Sequence, residues 1–296
     1  MITNHILGNG TVLYASLNNT LKIDNISLLF VQNIAVTDIV ITLLFYLPML
    51  PTLCARHWVL GDTLCYISAM FLRSIPRYNE VIVISVLSVF RLWVINKPRG
   101  VRDGIPLYRV KLLMLGLLVL SAYPGLSLTV LGCTGLFVVH FINCLPSMEC
   151  NSVILRGVNA VLFTGSPLFL VWLSNISIMV ILFKQSHKFH DAVNRSTITL
   201  LLCICWAFSL AYTPFCIVSL LKLCGIHGPM WLDLVGVYMT SINVIVNPVV
   251  YTIKNREFRG FLERRFRRIS VKKRVGNSQN VIINTTISCS VDDIEL

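Results

Sequence analysis

Apolar positions along the chain gather into long blocks separated by short polar loops. Residues 26–53, 65–96, 108–132, 155–184, 196–223 and 231–253 each exceed the roughly 20 residues that carry a helix across a bilayer. A seventh block, residues 5–17, is shorter and contains Gly and Asn. It counts as the first span only if further residues precede it or the start is wrongly assigned. After the last block the pattern changes. In EFRGFLERRFRR, Phe258, Phe261, Leu262 and Phe266 recur at helical spacing with basic residues between them, which predicts a helix lying on the membrane surface. Residues 275–296 are polar and rich in Ser, Thr and Asn. The predicted organisation is a seven-helix membrane bundle over 1–255, an amphipathic surface helix over 256–268 and a disordered tail over 269–296.

Composition supports that pattern. The chain is 55% hydrophobic and 13% charged, against about a quarter charged in a soluble domain. The net charge of +12 could suggest nucleic acid, but the positions of the charges argue otherwise. Arg91, Lys97, Arg99, Arg102, Arg109 and Lys111, then Lys184, Lys188 and Arg195, then Lys254 to Arg274 fall in alternate loops and the tail. This positive-inside pattern places those loops and the C-terminus in the cytoplasm, beside anionic lipid, and the N-terminus outside.

No cleavable signal peptide is visible, since residues 1–17 lack a basic start and a long apolar core. Other classes fit less well. A transporter predicts internal repeats and several discontinuous spans, and neither is present. A membrane enzyme predicts clustered catalytic side chains, whereas the six histidines are scattered, with no HxxxH or GxSxG. Of ten cysteines, Cys203, Cys205 and Cys216 lie inside apolar blocks as packing residues. Cys65, Cys133, Cys144 and Cys150 lie in or beside outer loops, where oxidation is open to them.

Motifs in order along the chain carry a resemblance. Gly8-Asn9 lies in the first span, and IAVTD ends at Asp38 in the second. WVLG (Trp58 to Gly61) precedes Cys65, and Arg91 stands at the inner end of the third span. FSLAYTP (Phe208 to Pro214) lies in the sixth, and NPVVY (Asn247 to Tyr251) leads into the basic helix. Together they resemble the rhodopsin-like (class A) G-protein-coupled receptors over nearly the whole chain. The resemblance implies an extracellular ligand, a heterotrimeric G protein and possible arrestin binding at a plasma-membrane receptor that is not an enzyme. A receptor-like scaffold that does not couple is the alternative.

The resemblance also assigns roles. Arg91, Phe208, Tyr212, Pro214, Asn247, Pro248 and Tyr251 correspond to the activation switch. Pro248 kinks the seventh span by removing a helix hydrogen bond. Asp38 corresponds to the carboxylate that holds a sodium ion and water, with Asn243, Asn247 and Asn9 as amide donors and Glu80 or Asn79 as the third-span contributor. No other cofactor is expected. Cys65 corresponds to the cysteine that bonds to the second outer loop. Cys144 is the favoured partner, with Cys133–Cys150 as a possible second bridge. The upper third span carries Leu72 or Arg73 where amine receptors have Asp, so with Tyr212 and Ser241 these residues mark the expected ligand pocket. No Lys occurs in 231–253, so a retinal Schiff base is not expected. Arg73 and Arg77 either meet an anionic ligand or extend toward the headgroups.

Several positions depart from the family. Phe90-Arg91-Leu92 lacks the acidic neighbour that restrains the Arg, and Asn175 stands where a Tyr is expected. A weakened inactive state follows from that reading. Tyr212 replaces a Trp. The Cys65–Arg91 interval is one residue longer than usual, and a bulge associated with Pro76 would absorb the excess. Span seven is faintly like melatonin receptors and the second outer loop faintly like olfactory receptors, so the subfamily and the ligand stay open.

Overall fold

The computed structural model describes residues 2–18, 20–21, 23–55, 58–96, 105–130, 137–140, 143–146, 153–184, 192–226 and 228–265. Span one is Ile2–Leu17. Span two is Asn25–Ile41 continued by Thr42–Tyr46, with Met49–Ala55 after it. Span three runs Gly61–Ile67, Ser68–Leu72 and Ser74–Asn96. Span four is Leu107–Ser121 then Tyr123–Val130. Span five is Val153–Ala160, Val161–Gly165 and Ser166–Lys184. Spans six and seven are Ala192–Leu223 and Met230–Lys254. Residues 256–265 form the eighth helix. Five of these segments, in spans two to six, are by length and hydropathy able to cross a membrane. Spans one and seven complete the bundle by packing on each other and on spans two and six.

The loop after span four adds what the apolar pattern did not predict. Strands β1 (Phe137–His140) and β2 (Asn143–Pro146) pair antiparallel, and β2 packs on the N-terminal end of span three. Span three is central, touching spans two, four, five and six. Its inward residues, among them Val83, Ile84 and Leu87, join the core with Phe30, Val171, Leu201 and Phe208. Large apolar residues such as Leu112, Val119, Phe169 and Phe183 point outward, as a hydrocarbon solvent allows.

Proline sets the local shape of the spans. A proline cannot donate to the carbonyl four residues earlier, and its ring crowds that carbonyl. Pro48, Pro76 and Pro167 crowd Leu44, Leu72 and Phe163. Each of those residues lies inside a widened π-helical turn: Thr42–Tyr46, Ser68–Leu72 and Val161–Gly165. The turns close through Leu47 N–H to Thr42 O and Arg73 N–H to Ser68 O, at 2.9 and 3.0 Å. A π turn takes in one extra residue. The surplus residue between Cys65 and Arg91 is therefore absorbed at Ser68–Leu72, a turn before Pro76 rather than at the proline itself. Span four instead breaks outright at Ala122, two residues before Pro124.

The widened turn of span three is accommodated by a glycine on span four. A Cβ at Gly125 would collide with the Met70 carbonyl oxygen, a backbone atom that cannot swing aside. Gly116, on the same span, has nothing within 4 Å. Gly125→Ala is expected to lower thermal stability in detergent by about 1–3 kcal/mol through overpacking. Gly116→Ala should be neutral or raise stability by up to about 1 kcal/mol through helix propensity. Equal melting temperatures for the two variants would show that the span three–four contact is looser than described.

Candidate functional site

A column of polar side chains runs down the bundle interior, most of it on one face of span three. Arg73, Arg77 and Glu80 follow at helical spacing, so they stack on one face. Arg73 is 8% exposed and lies with its guanidinium carbon 5.1 Å from the Phe45 ring centre. Arg77 donates to Thr240, and to Tyr46 and Ser241 at 3.1 Å each. It thus ties span three to spans two and seven and does not extend toward the headgroups. Glu80 accepts from Tyr212 at 2.9 Å and from Asn243. Its hydrogen-bond partners are therefore an aromatic hydroxyl of span six and an amide of span seven rather than either arginine. Tyr212 also stacks on Phe208, ring centres 4.2 Å apart. Leu72, in the widened turn, is half-buried.

One turn of the bundle deeper, Asp38 is fully buried and accepts from Asn247 Nδ2 at 3.0 Å. Asn79 donates to Asn33 and Thr37 of span two at 3.0 and 2.9 Å. The other two amides expected at Asp38 go elsewhere. Asn243 points its amide at Glu80. Asn9 donates to the Val244 carbonyl at 2.9 Å and to His5 O at 3.2 Å. The reason for the latter is Pro248. Val244 is four residues before it, so its carbonyl is the one the proline leaves without a helix donor. Asn9 supplies that donor, and the missing Cβ of Gly8 makes room for the ring: a Cβ there would stand 2.9 Å from Pro248 Cγ. The Gly-Asn pair of span one is thus a fitted seat for the proline of span seven.

Four buried oxygens, Asp38 Oδ1, Asn9 Oδ1, Asn243 Oδ1 and Asn247 Oδ1, have no hydrogen-bond partner among the described residues. A carboxylate and neutral amide oxygens are the ligand types that suit a hard cation accompanied by water.

Toward the C-terminal end of span three, Ser88 donates to the Cys205 sulfur at 3.1 Å, joining spans three and six. Arg91 is 5% exposed. The restraint that its neighbours Phe90 and Leu92 cannot offer comes from elsewhere. Arg91 Nη2 lies 2.7 Å from Asp24 Oδ1. The other oxygen of Asp24 accepts from Ser27 N–H and Ser27 Oγ at 3.0 Å, capping span two. This corrects the expectation of an unrestrained Arg91. The sequence carried a sign of it: Asp24 precedes an apolar run and stands three residues before Ser27, where an N-cap belongs. Asn175 of span five is fully buried and neither amide atom has a partner among the described residues. Tyr251 is buried and packs edge-on to Phe258 of the eighth helix, ring centres 6.2 Å apart. That helix is capped by Asn255, which accepts from Phe258 N–H at 3.0 Å and donates to Leu21 O at 3.1 Å.

Cys65 is disulfide-bonded. Strand β2, which carries Cys144, packs on the helix that bears it. The side chain of Cys144 lies outside the described residues, as do Cys133 and Cys150.

Residues 8–251 match the 7 transmembrane receptor (rhodopsin family). The crystal structure of squid rhodopsin superposes with a TM-score of 0.73, covering 90% of this chain and 83% of that one at 16% identity. At that identity the likeness speaks for the fold. No curated sequence matches significantly. The architecture, a bundle of apolar helices around a polar column, defines a multi-pass membrane protein. The chain belongs to the rhodopsin family of seven-transmembrane receptors, a family of receptors and not of enzymes.

The role assigned to Asn9 has a thermodynamic signature. Asn9→Ala is expected to cost about 1–3 kcal/mol, because a buried carbonyl loses its donor. In a Pro248→Ala background the helix supplies its own N–H to Val244, so most of that cost should vanish. Strict additivity of the two substitutions in a double-mutant cycle would rule the pairing out.

Proposed function

We propose that this protein is a plasma-membrane receptor, N-terminus outside, that passes an extracellular ligand signal to a heterotrimeric G protein. The observation that carries the reading is the polar column. It begins with Arg73 and Arg77 in the half of span three nearest Cys65, runs through Glu80, Tyr212 and Asn243, then Asp38 and Asn247, and ends at Arg91. Its middle levels join span three to spans six and seven and span two to span seven. A ligand bound between the outer halves of these spans changes the contacts at the top of the column. Only a difference in affinity between two bundle arrangements shifts their populations. Pro214 and Pro248 lie inside spans six and seven and give them points of bending.

A sodium ion with water belongs in the proposal at Asp38, held by Asn243, Asn247 and Asn9 oxygens. It would supply a positive charge to the buried carboxylate and favour the arrangement that keeps these groups together. Cys65–Cys144 is the proposed tether of the second outer loop, and arrestin and inner-leaflet lipid are further proposed partners of the cytoplasmic surface.

The inactive arrangement is held by the Arg91–Asp24 ion pair. A hydrogen bond to a charged group contributes about 1.5–3 kcal/mol, so its loss shifts a two-state equilibrium by roughly 10- to 150-fold at about 1.4 kcal/mol per tenfold. Asp24→Asn keeps the N-cap while removing the charge. Ligand-free G-protein activation in cells is expected to rise several-fold in Asp24→Asn and to vanish when Arg91→Ala is added. Asp24→Asn that reaches the surface and signals no more than empty cells would favour a receptor-like scaffold that does not couple.

A further inference from the structure

Span three carries two guanidiniums one turn apart and only one carboxylate beneath them. Two of the three side chains are buried, Arg73 at 8% and Glu80 at 4% exposure, and the half-buried Arg77 is held by side chains of two neighbouring spans. Like charges at this spacing on a helix repel, and a charge away from water needs a counter-charge or hydrogen bonds. Arg77 has three neutral oxygens. Glu80 has a hydroxyl and an amide. Arg73 has neither a carboxylate nor a hydrogen-bond acceptor among the described residues. Its one recorded contact of this kind is the face of Phe45.

That contact determines what Arg73 is still able to do. The ring of Phe45 takes the flat face of the guanidinium, whereas all five N–H donors lie in the plane at its edge. The edge matches a carboxylate in bidentate geometry. The widened turn at Ser68–Leu72 ends at Arg73, and this extra residue sets which face of span three the arginine occupies. Charge counting narrows the class. At this level of the column, above Asp38, two arginines stand with one carboxylate, an excess of one positive charge that a monoanion neutralises and a phosphate dianion overshoots. The side chain packed on Arg73 is the apolar ring of Phe45, and the aromatic Tyr46, Tyr78 and Tyr212 lie nearby.

We infer that the ligand of this receptor is a small organic monocarboxylate, its carboxylate bound in plane by Arg73 and its apolar body lying against the outer halves of spans two, three and six. The inference rests on the receptor reading for the word ligand, but its test does not depend on coupling. Arg73 is then a buried cation held for a partner that arrives from outside.

Two measurements on the full chain in lipid nanodiscs decide it, both read as thermal unfolding with a thiol-reactive dye. The first needs no ligand. Arg73→Gln removes an uncompensated buried charge, so the empty protein should melt a few degrees higher than wild type. A lower melting temperature would make Arg73 a structural residue and overturn the proposal. The second uses straight-chain monocarboxylates of graded length beside the primary amides of the same chains, at one pH. Carboxylates should raise the wild-type melting temperature and amides should not. The shift should be lost in Arg73→Gln, partly kept in Arg73→Lys and unchanged in Arg109→Gln, which lies at the opposite end of the bundle. Equal shifts from acid and amide, no shift from any acid, or a shift that survives Arg73→Gln would each overturn it. A carboxylate shift that depends on Arg73 but is accompanied by no G-protein activation in cells would leave the anion site standing and count against the receptor reading alone.

Discussion

A backbone carbonyl in hydrocarbon must have a donor, and in this protein proline repeatedly takes one away. The answer differs from span to span. Spans two, three and five widen into a π turn that moves the crowded carbonyl aside. Span four stops and restarts at Ala122. Span seven stays helical and receives a side-chain amide from span one at Val244. These solutions place the functional side chains. The turn at Ser68–Leu72 sets the face on which Arg73 and, below it, Arg77 and Glu80 stand. The seat at Gly8-Asn9 holds the segment that carries Asn243 and Asn247 against span two, where Asp38 waits. Had the backbone been regular throughout, the same residues would have faced other neighbours.

The polar column inherits its character from the solvent outside. In water, Arg77 would exchange its partners freely, and Thr240, Ser241 and Tyr46 would be weak company for a guanidinium. Away from water, an unmade hydrogen bond costs about 1–3 kcal/mol and more for a charge, so neutral hydroxyls suffice to hold it. The same reasoning makes the column sensitive to change. Moving span seven disturbs the donors to Glu80 and to Asp38 together, since both carboxylates take hydrogen bonds from span seven.

Much of this was legible in the residues. Apolar blocks located the spans, and the ordered motifs pointed to the family that the match over 8–251 establishes. The level of Asp38 was legible too, because a carboxylate in an apolar block stands out. What periodicity could not reveal was pairing between distant segments. The Asp24–Arg91 bond joins residues that are 67 positions apart, and nothing local to Arg91 announces it. The direction of the Asn9 amide depended on which carbonyl Pro248 had freed, a question that only the packing of span one on span seven answers. The hairpin of β1 and β2 was missed for a different reason: four-residue strands in a Cys-containing loop carry too little alternation to register.

The fitting of Asn9 to Pro248 also orders the mutations by which such a pair is reached. An asparagine facing span seven is tolerable while residue 248 still donates to Val244, since a carbonyl oxygen accepts two hydrogen bonds. A proline arriving first, opposite a residue larger than glycine at position 8 and an apolar one at 9, would meet both a clash and an orphaned oxygen. The low-cost path therefore runs through span one before span seven. Once the proline is in place the path does not readily reverse, so that a bendable seventh helix, once acquired, is retained by the two small changes that made it permissible.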